Sequence, residues 1–164
     1  MTDDLNELYR DIIMDHYRYP RGNKSLDDTS VKSEGKNPSC GDEIELSLKI
    51  DQDKVKDLSV TCKGCAISVA SGSMLSELVV GKNLDEVKKI AVVVKAMLKG
   101  DENPDLSKLE LGDIEALKGV KDFPVRIKCA LLAWTTLIDS IESWENSKEM
   151  TVSTTEDNHD GHDH

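Results

Sequence analysis

The chain has 164 residues, with 21 Lys and Arg against 32 Asp and Glu, and a formal net charge of −11 at pH 7. Nucleic-acid binding depends on neutralising phosphates with Lys and Arg, so this balance argues against a nucleic-acid partner. No apolar run approaches the roughly 20 residues that a membrane-spanning helix needs, and the first residues are acidic where a secretory signal would be basic. We therefore expect a cytoplasmic protein, without a membrane partner, whose thiols stay reduced.

Hydrophobic periodicity predicts several helices and a small sheet. Apolar residues that recur every three to four positions indicate amphipathic helices, and strict alternation indicates half-buried strands. Gly and Pro residues interrupt these runs, and Asn83 is a typical helix N-cap. The predicted helices cover residues 3–17, 66–80, 84–99, 114–117 and 124–145, and the predicted strands cover 44–50 and 58–62, with room for a short strand near Val31.

These elements predict the fold class. Strands and helices do not alternate regularly, so we expect an α+β domain with a small antiparallel sheet of about three strands packed against four to six helices. Residues 1–145 form this predicted metal-binding domain. Residues 146–164 have almost no apolar content and end in an acidic, His-containing stretch, so we interpret them as a disordered tail.

The segment from Asn37 to Asp42 carries the first candidate site. Cys40 and Asp42 flank Gly41 in a loop just before the first clear strand. A thiol and a carboxylate at this spacing can turn toward the same point, and both are donors that Zn²⁺ accepts. Four cysteines in a reducing compartment indicate metal or sulfur chemistry more than a disulfide framework.

Two later cysteines also suit a metal. Cys65 follows a strand and begins a helix, where the helix dipole and free N–H groups favour a thiolate. Cys129 lies in the first turns of the last helix beside Arg126 and Lys128, whose charges act in the same direction. We therefore predict a zinc or iron site of three cysteines and Asp42, assembled by the fold because the gaps are too long for a zinc-finger motif.

The fourth cysteine has a different interpretation. Cys62 and Cys65 form Cys-Lys-Gly-Cys, which is also typical of redox and zinc-ribbon proteins. Cys62 shares its strand face with Leu58 and Val60, so we expect it to pack in the core. His16 is expected to be a partly buried packing residue or a helix C-terminal cation. The tail histidines are interpreted as solvated (His159, His162 and His164).

Four segments resemble the IscU/SufU family of iron–sulfur cluster assembly proteins. They run in order over about residues 5 to 145: Leu8-Tyr9-Arg10 through Asp15-His16-Tyr17 with Pro20-Arg21, Asn37 to Asp42, Gly64-Cys65-Ala66-Ile67-Ser68, and Val125-Arg126-Ile127-Lys128-Cys129. The chain is more similar to the SufU branch. IscU-type members carry a His where Lys128 stands, and they are shorter between the second and third cysteines by about the length of the linker 101–123.

The resemblance implies a zinc ion held by Cys40, Asp42, Cys65 and Cys129. Because Lys128 and Arg126 are neighbours of Cys129 in the sequence, we expect them beside the site. It also implies a SufS-type, PLP-dependent cysteine desulfurase as partner. The function expected on this basis is zinc-dependent sulfur transfer: Cys40 accepts persulfide sulfur from the desulfurase and passes it to a downstream iron–sulfur assembly scaffold.

A mechanism and two rival functions follow. In the leading hypothesis a side chain of the partner replaces Cys40 on zinc, and the freed thiolate attacks the outer sulfur of the persulfide. In the second, the same residues bind iron or a transient [2Fe–2S] cluster and the protein is an assembly scaffold. In the third, the protein is a non-catalytic adaptor that bound zinc keeps folded.

Overall fold

A four-stranded sheet forms one layer of the protein in a computed structural model, which describes residues 2–101, 111–147 and 151–155, with side chains over 7–101 and 111–146. The strand order is β3-β2-β1-β4. In chain order the elements are α1 (Thr2–Arg18), β1 (Val31–Asn37), β2 (Asp42–Asp51), β3 (Lys54–Lys63), α2 (Ala66–Val79), α3 (Leu84–Lys99), a 3-10 helix (Gly112–Asp122), α4 (Pro124–Ser147) and β4 (Thr151–Thr155).

The first three strands are antiparallel and confirm the predicted sheet. Strands β2 and β3 are joined by Gln52 and Asp53, both with positive φ, at 53° and 60°. Two consecutive residues of this kind form the turn whose twist matches that of a hairpin. Strand β1 corresponds to the short strand that the sequence allowed near Val31. Within the described ranges the sheet accompanies five helices, so the α+β prediction is confirmed.

The last strand differs from the prediction of a disordered tail over 146–164. Helix α4 continues to Ser147, and residues 151–155 pair in parallel with β1. This stretch lacks large apolar side chains but is rich in β-branched residues, which favour strands. The free edge of β1 supplies the hydrogen-bonding partners. Residues 148–150 and 156–164, with the three tail histidines, lie outside the described residues.

The core lies between the sheet and the helices. Strand residues alternate between buried and exposed, and α2 and α4 pack on the buried face. Helix α2 approaches the sheet closely where its side chains are small, in the stretch from Ala70 to Ser73. A Cβ added to Gly72 would lie 3.2 Å from Val60 Cγ2. On α4, Trp134 is completely buried. Within the described part of the chain, no helix is both long and apolar enough to cross a bilayer.

The linker between α3 and α4 is more ordered than the sequence predicts. The short helix predicted at 114–117 is part of a longer 3-10 helix over Gly112–Asp122. Its buried residues Ile114, Leu117 and Val120 are three positions apart, which aligns them on one edge of a helix with three residues per turn. Residues 102–110 lie outside the described ranges.

His16 connects this 3-10 helix to the rest of the fold. The side chain is completely buried, with Nδ1 2.7 Å from Ser73 Oγ and Nε2 2.8 Å from Asp113 Oδ2. Ser73 Oγ also accepts the backbone N–H of Arg21 at 2.8 Å. Donation from Ser73 to Nδ1 and from Nε2 to Asp113 satisfies all of these groups. The residue is therefore more buried and more fully hydrogen-bonded than the sequence indicates.

We predict that His16→Ala lowers the free energy of unfolding by about 2–4 kcal/mol, because it leaves a cavity and removes the acceptor of the buried Ser73 hydroxyl proton. Urea denaturation followed by circular dichroism measures the change. The control is Tyr17→Ala, since the neighbouring Tyr17 side chain is 42% exposed. A loss for His16→Ala no larger than the control's would contradict this role.

Candidate metal centre

The four candidate donors meet at one end of the sheet. Cys40 lies in the loop between β1 and β2, and Asp42 is the first residue of β2. Cys65 follows β3 and is the N-cap residue of α2. Cys129 lies in the first turns of α4, which packs against β1. The fold thus brings together residues up to 89 positions apart in sequence. They lie on the β1–β2 hairpin, at the junction of β3 and α2, and on α4.

The distances support a shared site. Ligand atoms of Cys40, Asp42 and Cys129 all lie within 4.8 Å of one another. Cys40 Sγ and Cys129 Sγ are 3.2 Å apart. Cys65 is not part of this three-residue set, but its Sγ lies 3.9 Å from Asp42 Oδ2. The fold therefore brings together all four residues that the sequence singled out.

Asn37 shapes the loop that carries Cys40. Its backbone carbonyl accepts the N–H groups of Cys40 and Gly41, at 3.2 and 2.8 Å, and its side-chain oxygen accepts the N–H of Ser39. Its amide nitrogen faces Cys129 Sγ at 4.0 Å. Sequence reasoning gave Asn37 no role, although Asn at the start of a loop is typical of turns closed by its own side chain.

Asp42 is held by the start of α2. Its Oδ1 accepts the backbone N–H of Cys65 at 2.9 Å, and the residue is only 1% exposed. Gly64 makes this contact sterically possible, because a Cβ there would lie 2.0 Å from Asp42 Oδ1. Sequence reasoning missed this role. The Gly immediately before the candidate ligand Cys65 was the available indication of a close backbone approach.

Arg126 supplies positive charge at the site. The negative charge of Cys65, together with hydrogen bonding to Cys65 and a smaller contribution from Cys129, raises the pKa of Arg126. Its guanidinium therefore faces two of the candidate ligands. Lys128 is half-buried on the same helix, and its role beside the site stays a prediction.

The donor set fits zinc. Three thiols and a carboxylate are typical zinc ligands, and two Zn–S bonds of about 2.3 Å in a tetrahedron place their sulfurs about 3.8 Å apart. The observed 3.2 Å between Cys40 and Cys129 needs only a small opening of the Cys40 loop. Burial and the adjacent Cys40 thiol raise the pKa of Cys129. A metal must therefore displace a proton from this thiol.

Cys62 lies apart from the donor set. It is half-buried on β3 and its Sγ donates to Ser68 Oγ at 3.4 Å. Burial raises the pKa of the Cys62 thiol to about 11. At pH 8 only about one molecule in a thousand then carries a thiolate here. These properties support the interpretation of Cys62 as a packed side chain.

We predict that Gly64→Ala weakens zinc binding by about 10- to 100-fold, because the new Cβ displaces Asp42 from the Cys65 N–H. Competition with a chromogenic chelator measures the affinity. The control is Gly119→Ala, since a Cβ added at Gly119 would meet open space. Equal zinc affinity in the two variants would contradict the proposed constraint on Asp42.

We predict that Cys62→Ala keeps its full zinc content, because the buried, protonated thiol is not needed as a ligand, whereas Cys65→Ala loses it. Metal analysis of the purified variants decides the point. Zinc loss in Cys62→Ala combined with retention in Cys65→Ala would reverse the assignment of the two cysteines.

Comparison with known proteins identifies the family. The model of the NifU-like N terminal domain matches residues 8–147. Zinc-dependent sulfurtransferase SufU of Bacillus subtilis (strain 168) is 44% identical over 133 residues, covering 81% of this chain and 88% of the relative. Iron-sulfur cluster assembly scaffold protein IscU of Streptococcus pyogenes serotype M1 is 40% identical over 147 residues, covering 90% and 91%.

A solved structure agrees with the sequence relatives. The crystal structure of FiSufU from Fervidobacterium islandicum AW-1 has a TM-score of 0.73 at 35% identity, and the match covers 79% of this chain and 93% of that one. The resemblance that the four sequence segments indicated is thereby confirmed. Sequence and fold together show that the chain belongs to the NifU-like N-terminal domain family, alongside proteins named SufU and IscU.

Proposed function

We propose that this protein is a zinc-dependent sulfurtransferase of iron–sulfur cluster biogenesis, which accepts sulfur from a SufS-type cysteine desulfurase on Cys40 and passes it to a downstream assembly scaffold. The name and the 44% identity of the Bacillus subtilis relative support this function. The observation that carries it is that Cys40 is both partly exposed and on a loop, whereas Asp42 and Cys129 are buried in packed elements.

Of the candidate ligands, a partner can reach Cys40, which lies on a loop, and Cys65, which is held at the start of α2. Asp42 and Cys129 are 1% and 0% exposed, whereas Cys40 is partly exposed and lines an open cavity of about 520 Å³. The cavity also contains Cys65 and Arg126. Gly41, with φ of +75° and open space around it, gives the Cys40 loop room to move. Loop segments of this kind rearrange at lower cost than packed strands and helices.

Bound zinc would supply Lewis acidity that keeps the coordinating thiols deprotonated at neutral pH. The Cys40 thiolate then attacks the outer sulfur of the persulfide on the desulfurase. A bond forms between Cys40 Sγ and that sulfur, the sulfur–sulfur bond of the donor breaks, and the donor cysteine leaves as a thiolate. Asp42, Cys65 and Cys129 stay in place during the transfer, because packed elements hold them.

Arg126 helps the approach of the donor in this proposal. The persulfide is an anion, and the exposed guanidinium lines the same cavity as Cys40. A cation at the mouth of a cleft raises the local concentration of anionic groups, and here it would stabilise the negative charge of the persulfide.

The Streptococcus pyogenes relative, named an assembly scaffold, supports a second candidate function. Three thiolates and a carboxylate could hold a [2Fe–2S] cluster, and the carboxylate ligand would make that cluster easier to release than an all-cysteine one. On this alternative the residues are the same, and the cargo is iron and sulfide in place of a single sulfur atom.

We predict that the zinc-loaded protein strongly accelerates cysteine turnover by a SufS-type desulfurase in the presence of a reductant, because Cys40 removes the persulfide from the enzyme. Cys40→Ala should give the turnover of the desulfurase alone while still binding it. Cys62→Ala is the matched control and should accelerate like the wild type. Alanine production measures the rate.

Two outcomes would contradict the sulfurtransferase proposal. One is undiminished acceleration by Cys40→Ala. The other is no acceleration by protein with full zinc occupancy and a desulfurase that binds it. In the second case, anaerobic titration with iron and sulfide tests the scaffold function through a stable, transferable visible chromophore.

A further inference from the structure

A groove beside the metal centre has no role in the chemistry described above. Its volume is about 790 Å³, and it runs between α1, the start of α2, the 3-10 helix and the start of α4. Apolar side chains line it, among them Ile13 and Ile67, and Phe123 stands at its edge with 62% of its surface exposed. A large exposed aromatic side chain at the edge of an apolar groove is typical of a protein-binding surface.

The groove adjoins the cavity that holds Cys40. Phe123 and Arg126 line both of them. Val125, which is 57% exposed, extends the apolar surface on the cavity side. A protein that occupies the groove therefore also faces Cys40, and its contacts with the groove do not require any of the metal ligands.

The charged side chains that line the groove have one sign. Among the described residues that line it, every charged side chain is a cation: Arg10, Lys118, Lys121 and Arg126. This is unusual in a chain with a net charge of −11. Lys118 is paired with Glu115 at 2.9 Å, so the proposal relies on the positive charges of Arg10, Lys121 and Arg126. Such a local patch attracts acidic groups by short-range electrostatics.

The net negative charge of the chain argues against a nucleic acid or an anionic membrane as the occupant of the groove. A nucleic acid or an anionic membrane would be repelled by the rest of the molecule, whereas a protein segment can place its carboxylates against the cationic side chains alone. The groove is apolar, its charged lining residues are cations, and it adjoins the cavity that holds Cys40. We therefore infer that it docks a segment of the desulfurase that carries a bulky apolar side chain flanked by Asp or Glu. This rests on the proposed function.

Binding of zinc-loaded protein to the desulfurase, measured by isothermal titration calorimetry without cysteine, tests the inference. Arg10→Glu and Lys121→Glu reverse the charge of two side chains that line the groove. Gly119→Phe fills the groove at a position where an added Cβ would meet no other atom. Each variant should raise Kd by about tenfold or more, because each removes a charge pair or blocks an anchor at the centre of the contact. The two charge reversals should also reduce the salt dependence of binding.

Lys89→Glu is the matched control, because it makes the same charge change at an exposed position of α3 that lines neither cavity. Its Kd should stay within about twofold of the wild-type value. Zinc stoichiometry and circular dichroism establish that each variant is folded. Should Gly119→Phe fail to fold, the two charge reversals at exposed positions decide the question.

The possible results separate the two proposals. If wild-type protein accelerates the desulfurase but all three groove variants bind it as tightly as Lys89→Glu does, the groove inference is overturned and the sulfurtransferase proposal stands. If the wild type neither binds nor accelerates the desulfurase, both are overturned. Binding of the wild type to phosphatidylglycerol vesicles that Lys121→Glu abolishes would overturn the assignment of a protein segment as occupant.

Discussion

The hydrogen bond from the Cys65 N–H to the Asp42 carboxylate is the interaction on which the rest of the metal centre depends. It joins the first residue of β2 to the first turn of α2, 23 positions away. A buried carboxylate is costly unless N–H donors and a favourable dipole compensate it, and a helix N-terminus provides both. Gly64 must lack a side chain for the contact to form. Asp42 and Cys65 are therefore positioned by backbone geometry before any metal binds.

The candidate ligands around this hydrogen bond differ in burial, since some are enclosed by packed elements and others are partly exposed. Cys129 is buried on α4, whereas Cys40 lies on a short loop that Asn37 holds through backbone and side-chain hydrogen bonds. A uniformly buried set of ligands would suit a structural zinc ion, and a uniformly exposed set would bind metal weakly. On the proposed function, this asymmetry would let Cys40 react while Asp42 and Cys129 retain their positions.

Much of this arrangement could be predicted from the sequence, because hydrophobic periodicity and capping residues determine the hairpin and most helices. Residue type and local context selected Cys40, Asp42, Cys65 and Cys129, which the fold brings close together; their role as metal ligands stays a prediction. Strand β4 was not, since its pairing depends on an edge of β1 distant in sequence. The roles of Asn37 and Gly64 depend on close approaches between elements, and local patterns do not encode such distances.

The order of the ligands along the chain has a consequence for folding. Cys40, Asp42 and Cys65 belong to one continuous segment of hairpin and helix start, whose contacts join near neighbours in sequence. Cys129 arrives only when α4 packs on β1. Because local contacts form faster than distant ones, we expect a newly made chain to pass through a stage in which three donors are assembled and the fourth is still absent. A metal that bound at this stage would do so before the last long helix docks.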